Sequence, residues 1–235
     1  LGRLELHRRP IGGLTGQFGL WGQRRNYVVA GDEALSPPTH QNALAGFVYE
    51  EIALNDASLQ FGARLEHNGY EPESRDAESL GVPATRDRSF TGLSGSLGLR
   101  LPFASERAAV VLNLGSSYRA PALEELYNFG PHVGNLAFEI GDPDLGHERS
   151  NGGEVSLRFN GTRLHGEVNV FYYSIRGYIF AARTGEIEDG LQIVEYEQGD
   201  ARYVGFDMSA RVHLGPQLQL LLSGGLVDAR LTDSD

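Results

Sequence analysis

The feature that most constrains this chain is an alternation of apolar and polar residues with a period of two, which lets a β-strand bury one face. The alternation is clearest in residues 58–66, 92–101, 153–159 and 202–214, and no segment sustains a helical period over three turns. The pattern predicts ten strands. They lie near residues 2–8, 14–24, 40–53, 58–69, 88–101, 107–119, 149–160, 162–179, 201–214 and 217–229.

The connections between these strands alternate between short and long. The short ones are residues 9–13, 55–57, 102–106, 160–161 and 215–216, and the long ones are 25–39, 70–87, 120–148 and 180–200. Short periplasmic turns at one end and long extracellular loops at the other are typical of an outer-membrane barrel. The sequence therefore predicts an all-β, antiparallel transmembrane β-barrel whose apolar face meets lipid.

The polar positions carry charges of both signs. A lumen that holds water or a plug accepts such side chains, whereas a dry core would not. The predicted lumen-facing charges are Arg64, Glu66, Arg100, Glu154, Arg158, Glu167, Asp207 and Arg211. The alternative is a soluble antiparallel sheet with one wet face.

Composition excludes several other classes of protein. The chain has no cysteine, which removes disulfide scaffolds and thiolate metal sites. No apolar run approaches the roughly 18 residues of a membrane-spanning helix. A net charge of −11 argues against a nucleic-acid partner. No signal peptide precedes the first strand, so we expect a trimmed protein or an internal piece of a longer one.

A series of motifs between residues 115 and 207 is more specific. In chain order they are GSSYRAP at 115–121, EELY at 124–127, GPH at 130–132, FEIGDPDL at 138–145, ERSNGGE at 148–154, NVFYYSIRGYI at 169–179 and ARYVGFD at 201–207. Their order and spacing resemble the mid-barrel region of TonB-dependent receptors. The likeness covers about residues 90–230, with Asp207 where the family pattern has Glu.

The resemblance implies a barrel of about 22 strands that is closed by an N-terminal plug and energised through TonB. Residues 1–235 then form a partial barrel domain of about ten strands. The plug, the TonB box and the closing C-terminal strands have no counterpart in it. The implied partners are outer-membrane lipid, the TonB complex through the plug, and a small-molecule or metal substrate. The implied location is the bacterial outer membrane.

The transported substrate is suggested by two features. The segment 130–143 resembles the zinc-uptake branch of the family. The loops 70–87, 119–149 and 180–200 hold 17 of the 31 acidic residues but only 5 of the 20 basic ones, so the predicted mouth attracts cations. An acidic loop that only keeps the surface soluble is an equally good interpretation.

Residues 120–148 are expected to fold over the mouth and to contact the substrate. The candidate ligand-binding residues are Arg119, His132, Glu139, Asp142, Asp144 and His147. Imidazole and carboxylate are ordinary zinc ligands, so His132 and His147 are the candidate metal ligands. We expect no resident cofactor, because a transported zinc or other metal ion would be the substrate.

Two other functions remain open. A passive porin or adhesin would lack the motif series described above. An outer-membrane enzyme would need a converging catalytic set. The segment around Ser94 is not a nucleophile elbow, because that turn needs glycine two residues after the serine. The sequence therefore favours a receptor that imports a scarce nutrient and is not an enzyme.

Overall fold

The computed structural model describes residues 1–29, 35–74, 84–105, 107–132 and 134–232, and it is built almost entirely of strands. The elements, in chain order, are β1 (Gly2–Ile11), β2 (Leu14–Tyr27), β3 (Thr39–Leu54), β4 (Ala57–Pro72), β5 (Arg88–Phe103), β6 (Ala108–Arg119), α1 (Leu123–Tyr127), β7 (Phe129–His132), β8 (Ala137–Ile140), β9 (Glu148–Asn160), β10 (Leu164–Glu188), β11 (Leu191–Gly215) and β12 (Leu218–Leu231). The ten long strands match the ten predicted from the alternation.

These ten strands form one sheet in which each strand pairs antiparallel with the next long strand along the chain. The predicted antiparallel architecture is therefore confirmed. In the part of the chain that the structure describes, β1 pairs only with β2 and β12 only with β11. The tight turns recur at the end where β1 meets β2, β3 meets β4 and β11 meets β12.

The predicted two faces follow from the register. One row of directly opposed apolar residues runs across eight strands from β3 to β12. Its members are Ile52, Leu59, Leu99, Leu112, Val155, Val170, Phe206 and Leu226. We call this side of the sheet the apolar face. The other side, the polar face, carries Arg158 bonded to Glu167 at 3.0 Å and Asn113 bonded to Glu154 at 2.9 Å.

The prediction of a long loop at residues 180–200 is wrong. The ladder between β10 and β11 continues from Leu164 opposite Val212 to Glu188 opposite Leu191, and the hairpin closes at Asp189 and Gly190. Both turn residues have positive φ, at 50° and 81°, as a tight hairpin turn requires. The sequence pattern does not predict this extension, because a hairpin outside the membrane needs no continuous apolar face.

The connection at residues 120–148, called here the mouth loop, is a long loop as predicted but contains regular structure. It holds α1, β7 and β8, and β8 runs parallel to β11, with Ala137 opposite Gln192. In the sheet, β9 and β10 lie between β6 and β11. The mouth loop must therefore cross the face of β10 to reach the edge of β11 with which β8 pairs. None of the described helices is long and apolar enough to cross a membrane.

The main buried apolar cluster lies under the mouth loop. It joins Tyr70, Phe90 and Ile179 of the long strands to residues of the loop itself. The loop contributes Leu123, Leu126, Tyr127 and Leu145. Tyr70 and Phe90 have the same parity as the polar residues of β4 and β5, so the cluster sits on the polar face at the end with the long loops. The loop is therefore packed over the interior side of the sheet.

Candidate functional site

The mouth loop is fastened to the strand ends by hydrogen bonds to its backbone. The Tyr70 hydroxyl donates to the carbonyl oxygen of Pro121 at 2.8 Å, and the Arg88 guanidinium donates to that of Leu145 at 2.7 Å. These contacts hold both ends of the loop, while the fully buried Leu126 packs between them. The sequence-based expectation that residues 120–148 fold over the mouth agrees with this arrangement.

Arg119 joins the loop to three strands. Its guanidinium bonds both carboxylate oxygens of Glu125 in α1, at 2.9 and 3.1 Å, and both oxygens of Glu148 in β9, at 2.7 and 2.5 Å. Glu148 also accepts the backbone N–H of Ile179 in β10 at 2.8 Å. The hydrogen bonds that it donates to Glu148 and then to Glu125 raise the pKa of Arg119 above its usual range. Arg119 is thus engaged within the protein and anchors the loop.

Glu139 is a buried carboxylate surrounded by donors. It accepts hydrogen bonds from His132 at 2.7 Å, Asn135 at 2.8 Å and Asn128 at 2.8 Å. The Tyr196 hydroxyl approaches it at 3.4 Å from β11. Burial on its own would raise the pKa of Glu139, but the bonds from His132, Asn135 and Asn128 outweigh burial and hold that pKa below its usual range. Burial, followed by the charge of Glu139, raises the pKa of Tyr196 to about 12, so this phenol keeps its proton.

The other predicted site residues have separate surroundings. Asp142 accepts the backbone N–H of Asp144 at 2.7 Å, which is a local turn bond. Asp144 itself is paired with Arg86 on the exposed surface. The His147 ring packs against Tyr118, with the ring centres 5.4 Å apart. Of the predicted loop ligands, only His132 and Glu139 are joined through their side chains.

A complete metal site is not formed by these side chains. Among the described residues, no three His, Asp or Glu side chains are placed so that they could hold a metal ion. The pair of His132 and Glu139 offers two ligand types that zinc accepts. A metal at this position would need further ligands from water or from another part of the receptor.

An open cleft of about 710 Å³ lies between the turn at residues 140–144 and β11. Its lining includes Asp142, Asp144, Glu195 and Glu197, with Arg86 as the charge of opposite sign. Four carboxylates around one open volume produce a negative potential that concentrates cations and repels anions. The predicted acidic mouth is thus partly formed by residues that come together from two separate segments, although 75–83 of the loop 70–87 lie outside the described residues.

Sequence reasoning missed several residues that build this site. Glu125 and Glu148 were recognised as parts of motifs, but their role depends on the pairing of β6 with β9, which puts Glu148 opposite Arg119. The sequence pattern places Tyr196 in a loop, whereas the structure places it on β11. The side chain of another β11 residue, Gln198, bonds the backbone of Gly146 in both directions, at 2.6 and 3.2 Å. An Asp-Gly turn signal at 189–190 could have revealed the hairpin that positions both.

Comparisons with known proteins agree with this architecture. A family model described as "TonB dependent receptor-like, beta-barrel" matches residues 3–234. Among solved structures, the copper transporter OprC superposes with a TM-score of 0.79 at 16% identity, over 99% of this chain and 37% of its own. The hemophore receptor HasR of Serratia marcescens gives a TM-score of 0.66 at 16% identity, over 90% of this chain and 38% of its own.

A third structure, the FrpB iron transporter of Neisseria meningitidis, gives a TM-score of 0.66 at 14% identity. It is matched over 97% of this chain and 34% of its own length. At these identities the structural matches establish the shared fold alone. The chain spans little more than a third of the length of each of these proteins.

Proposed function

Because this chain belongs to the family of TonB-dependent receptor β-barrels, we propose that it forms part of the barrel wall of a receptor that imports a scarce nutrient. The family match over residues 3–234 carries the proposal. Proteins of this family are β-barrels of the bacterial outer membrane and act as transporters, not as enzymes. Metals that they carry are substrates and not resident cofactors.

The domain organisation follows as part of the same proposal. Residues 1–235 would be a partial barrel domain, and the plug and the remaining strands would belong to other parts of the receptor. The free edges of β1 and β12 would then pair with those strands, since an unpaired edge invites aggregation. Energy would come from the TonB complex acting through the plug, and lipid would cover the apolar face.

A metal ion or a metal chelate is the substrate that the mouth supports best. The loops 70–87, 119–149 and 180–200 concentrate acidic residues, and the cleft beside β11 gathers four of them. The similar structures are described as a copper transporter, a receptor in complex with a hemophore and heme, and an iron transporter. Zinc is our specific candidate, because His132 and Glu139 already lie side by side in the mouth loop.

A passive porin or adhesin is the competing function. A fastened mouth loop with a buried, fully bonded carboxylate is more elaborate than a passive pore requires. Uptake measurements separate these functions. Cells with the full-length receptor should accumulate radioactive zinc faster than cells without it, and deletion of TonB should abolish the difference. Uptake that persists without TonB would indicate a passive pore.

The contribution of the mouth loop is tested by zinc binding to the purified full-length receptor with calorimetry. We expect His132→Ala to weaken zinc binding, because it removes the ligand nearest to Glu139. His67→Ala is a matched control, since His67 lies on β4, outside the loop, and its ring bonds Thr91 of β5 at 2.7 Å. His147→Ala tests the second histidine that the sequence suggested. Unchanged zinc affinity in both loop variants would remove His132 and His147 from the substrate site.

A further inference from the structure

Two histidines face each other at the end of the sheet opposite the mouth loop. His165 of β10 lies opposite Arg211 of β11, and His213 follows two residues later. The backbone N–H of His213 donates to the Arg163 carbonyl at 2.8 Å. This bond holds the start of β10 against the end of β11. The ring centres of His165 and His213 are 5.5 Å apart, and the ring planes meet at 71°.

The orientation of the first ring is set by a neighbour at the end of the adjacent strand, β9. Nδ1 of His165 lies 2.5 Å from the side-chain oxygen of Asn160. That oxygen can only accept a hydrogen bond, so Nδ1 carries a proton and, in the neutral ring, the lone pair is on Nε2. Metal-binding histidines are typically held in this way, with the second ring nitrogen bonded to an oxygen of the surrounding protein.

The second ring has an unsatisfied polar atom. Nδ1 of His213 is buried and lacks a hydrogen-bond partner among the described residues. A buried polar atom without a partner commonly marks the position of a water molecule or an ion. Both histidines are only half-buried, so part of each ring is exposed to solution.

The spacing of the rings fits two imidazoles that share one ion. Zinc–nitrogen distances are about 2.0–2.1 Å, and a tetrahedral arrangement then places two ring centres roughly 5 Å apart. The observed 5.5 Å lies close to that spacing. We propose that His165 and His213 form a binding site for a divalent transition metal such as Zn²⁺, Cu²⁺ or Ni²⁺, with water in the remaining positions.

This site differs from the proposed substrate site in position and in surroundings. It lies among the tight turns, where Arg211 points from the same polar face as His165. The positive charge of Arg211 repels a cation, so the affinity is lower than that of a closed structural site and binding is reversible. The same charge makes the nature of the ligand testable, because a cation and an anion respond to its removal in opposite directions.

The experiment uses Cu²⁺ as the probe and the full-length receptor in detergent. Calorimetry gives the affinity, and electron paramagnetic resonance counts the imidazole nitrogens around the copper. In the parent receptor we expect a copper ion with two imidazole ligands. His165→Ala and His213→Ala should each lower its affinity by about tenfold or more and leave one imidazole. His67→Ala should leave both readouts unchanged.

Three further variants make the result decisive. His165→Gln and His213→Gln keep a polar side chain and should show the same loss if either alanine variant folds poorly. Arg211→Gln should tighten copper binding several-fold. The proposal is overturned if both histidine variants bind copper as the parent does, or if Arg211→Gln weakens copper binding. Binding of inorganic phosphate that depends on Arg211, without the copper signal, would also overturn it and would identify an anion site.

Discussion

At the scale of single residues, Arg119 explains how the mouth loop stays attached to the sheet. A planar guanidinium can bond two carboxylates at fixed angles, which the single charged nitrogen of lysine cannot. The carboxylates of Glu125 and Glu148 are mostly buried, at 16% and 11% exposure. Loss of the arginine would leave both of them without a charged partner in a place that water reaches poorly.

We therefore predict that Arg119→Ala lowers the free energy of unfolding of the mouth loop by about 1–3 kcal/mol. Hydrogen exchange of the α1 amides in the full-length receptor measures this quantity. Arg158→Ala is the matched control, because Arg158 is paired with Glu167 but is 52% exposed. An exposed pair contributes about 0–1 kcal/mol. Equal effects of the two substitutions would contradict the anchoring role of Arg119.

Glu139 should make the stability of the mouth loop depend on pH. A carboxyl group whose pKa is lowered by folding stabilises the folded state above its unfolded pKa, which is about 4.3 for glutamate. That stabilisation is lost as the pH falls through the folded pKa. We predict that the amides of β7 and β8 exchange faster as the pH is lowered below this value, after correction for the intrinsic rate.

The Glu139→Gln variant tests this assignment. It should already exchange faster at pH 7, since an amide cannot accept the three hydrogen bonds as strongly as a carboxylate. Its corrected exchange rates should then change little on acidification. Glu71→Gln, on an exposed position of β4, is the control. A Glu139→Gln variant that keeps the full pH dependence would show that other groups cause it.

At the scale of elements, the sequence predicts the ten long strands well because a membrane demands alternation along each of them. The predictions fail in segments outside the membrane, where alternation is not required. Residues 180–200 carry glutamates on both sides of the hairpin, and this polar pattern predicts a loop. The short strands β7 and β8 and the helix α1 could not be predicted, since each is held by contacts that are distant in sequence, such as Ala137 with Gln192.

The candidate site was predicted only in part, for the same reason. The motif residues His132 and Glu139 lie seven positions apart in the chain, and the antiparallel pairing of β7 with β8 brings them into contact. Another partner of Glu139, Tyr196, lies on the extension of β11 that the sequence pattern does not predict. Of the two aspartates in the turn, Asp142 accepts a hydrogen bond from the turn backbone and Asp144 pairs with Arg86.

The turn between β8 and β9 depends on one close approach. A Cβ atom at Gly141 would lie 2.7 Å from the backbone nitrogen of Tyr127 and 2.8 Å from that of Asn128. We predict that Gly141→Ala costs about 1–3 kcal/mol in the stability of the mouth loop, because the end of α1 must move away. Limited proteolysis of the full-length receptor should then cut this loop faster.

Gly69→Ala provides the control for this substitution. Its Cβ atom would meet nothing nearer than the Asn42 carbonyl oxygen at 3.9 Å, an ordinary contact. The two variants add the same methyl group to the same kind of residue. If Gly141→Ala resists proteolysis as well as Gly69→Ala does, the mouth loop can accommodate the methyl group and the close approach does not constrain it.

At the scale of the whole molecule, the sheet is organised by its two faces. The apolar row from Ile52 to Leu226 crosses eight strands without interruption. A soluble protein would cover such a band with a second layer, whereas the described residues place only the mouth loop on the sheet, and they place it on the polar face. A bilayer supplies the missing cover in the family to which the chain belongs.

Substitution of neighbouring residues tests this division. Leu157 points from the apolar face and is 49% exposed, whereas Arg158 points from the polar face and is bonded to Glu167. We predict that Leu157→Arg lowers the free energy of unfolding of the full-length barrel in lipid by about 2–4 kcal/mol, as a charge at mid-depth in a bilayer does. Arg158→Leu should cost about 0–1 kcal/mol, since its pair with Glu167 is exposed to the lumen. Urea unfolding in vesicles gives both values, and both substitutions exchange leucine with arginine at adjacent positions.

Because successive residues of a strand point to opposite faces, a register shifted by one residue would reverse the order of the two costs. A larger cost for Arg158→Leu would therefore show that lipid covers the polar face.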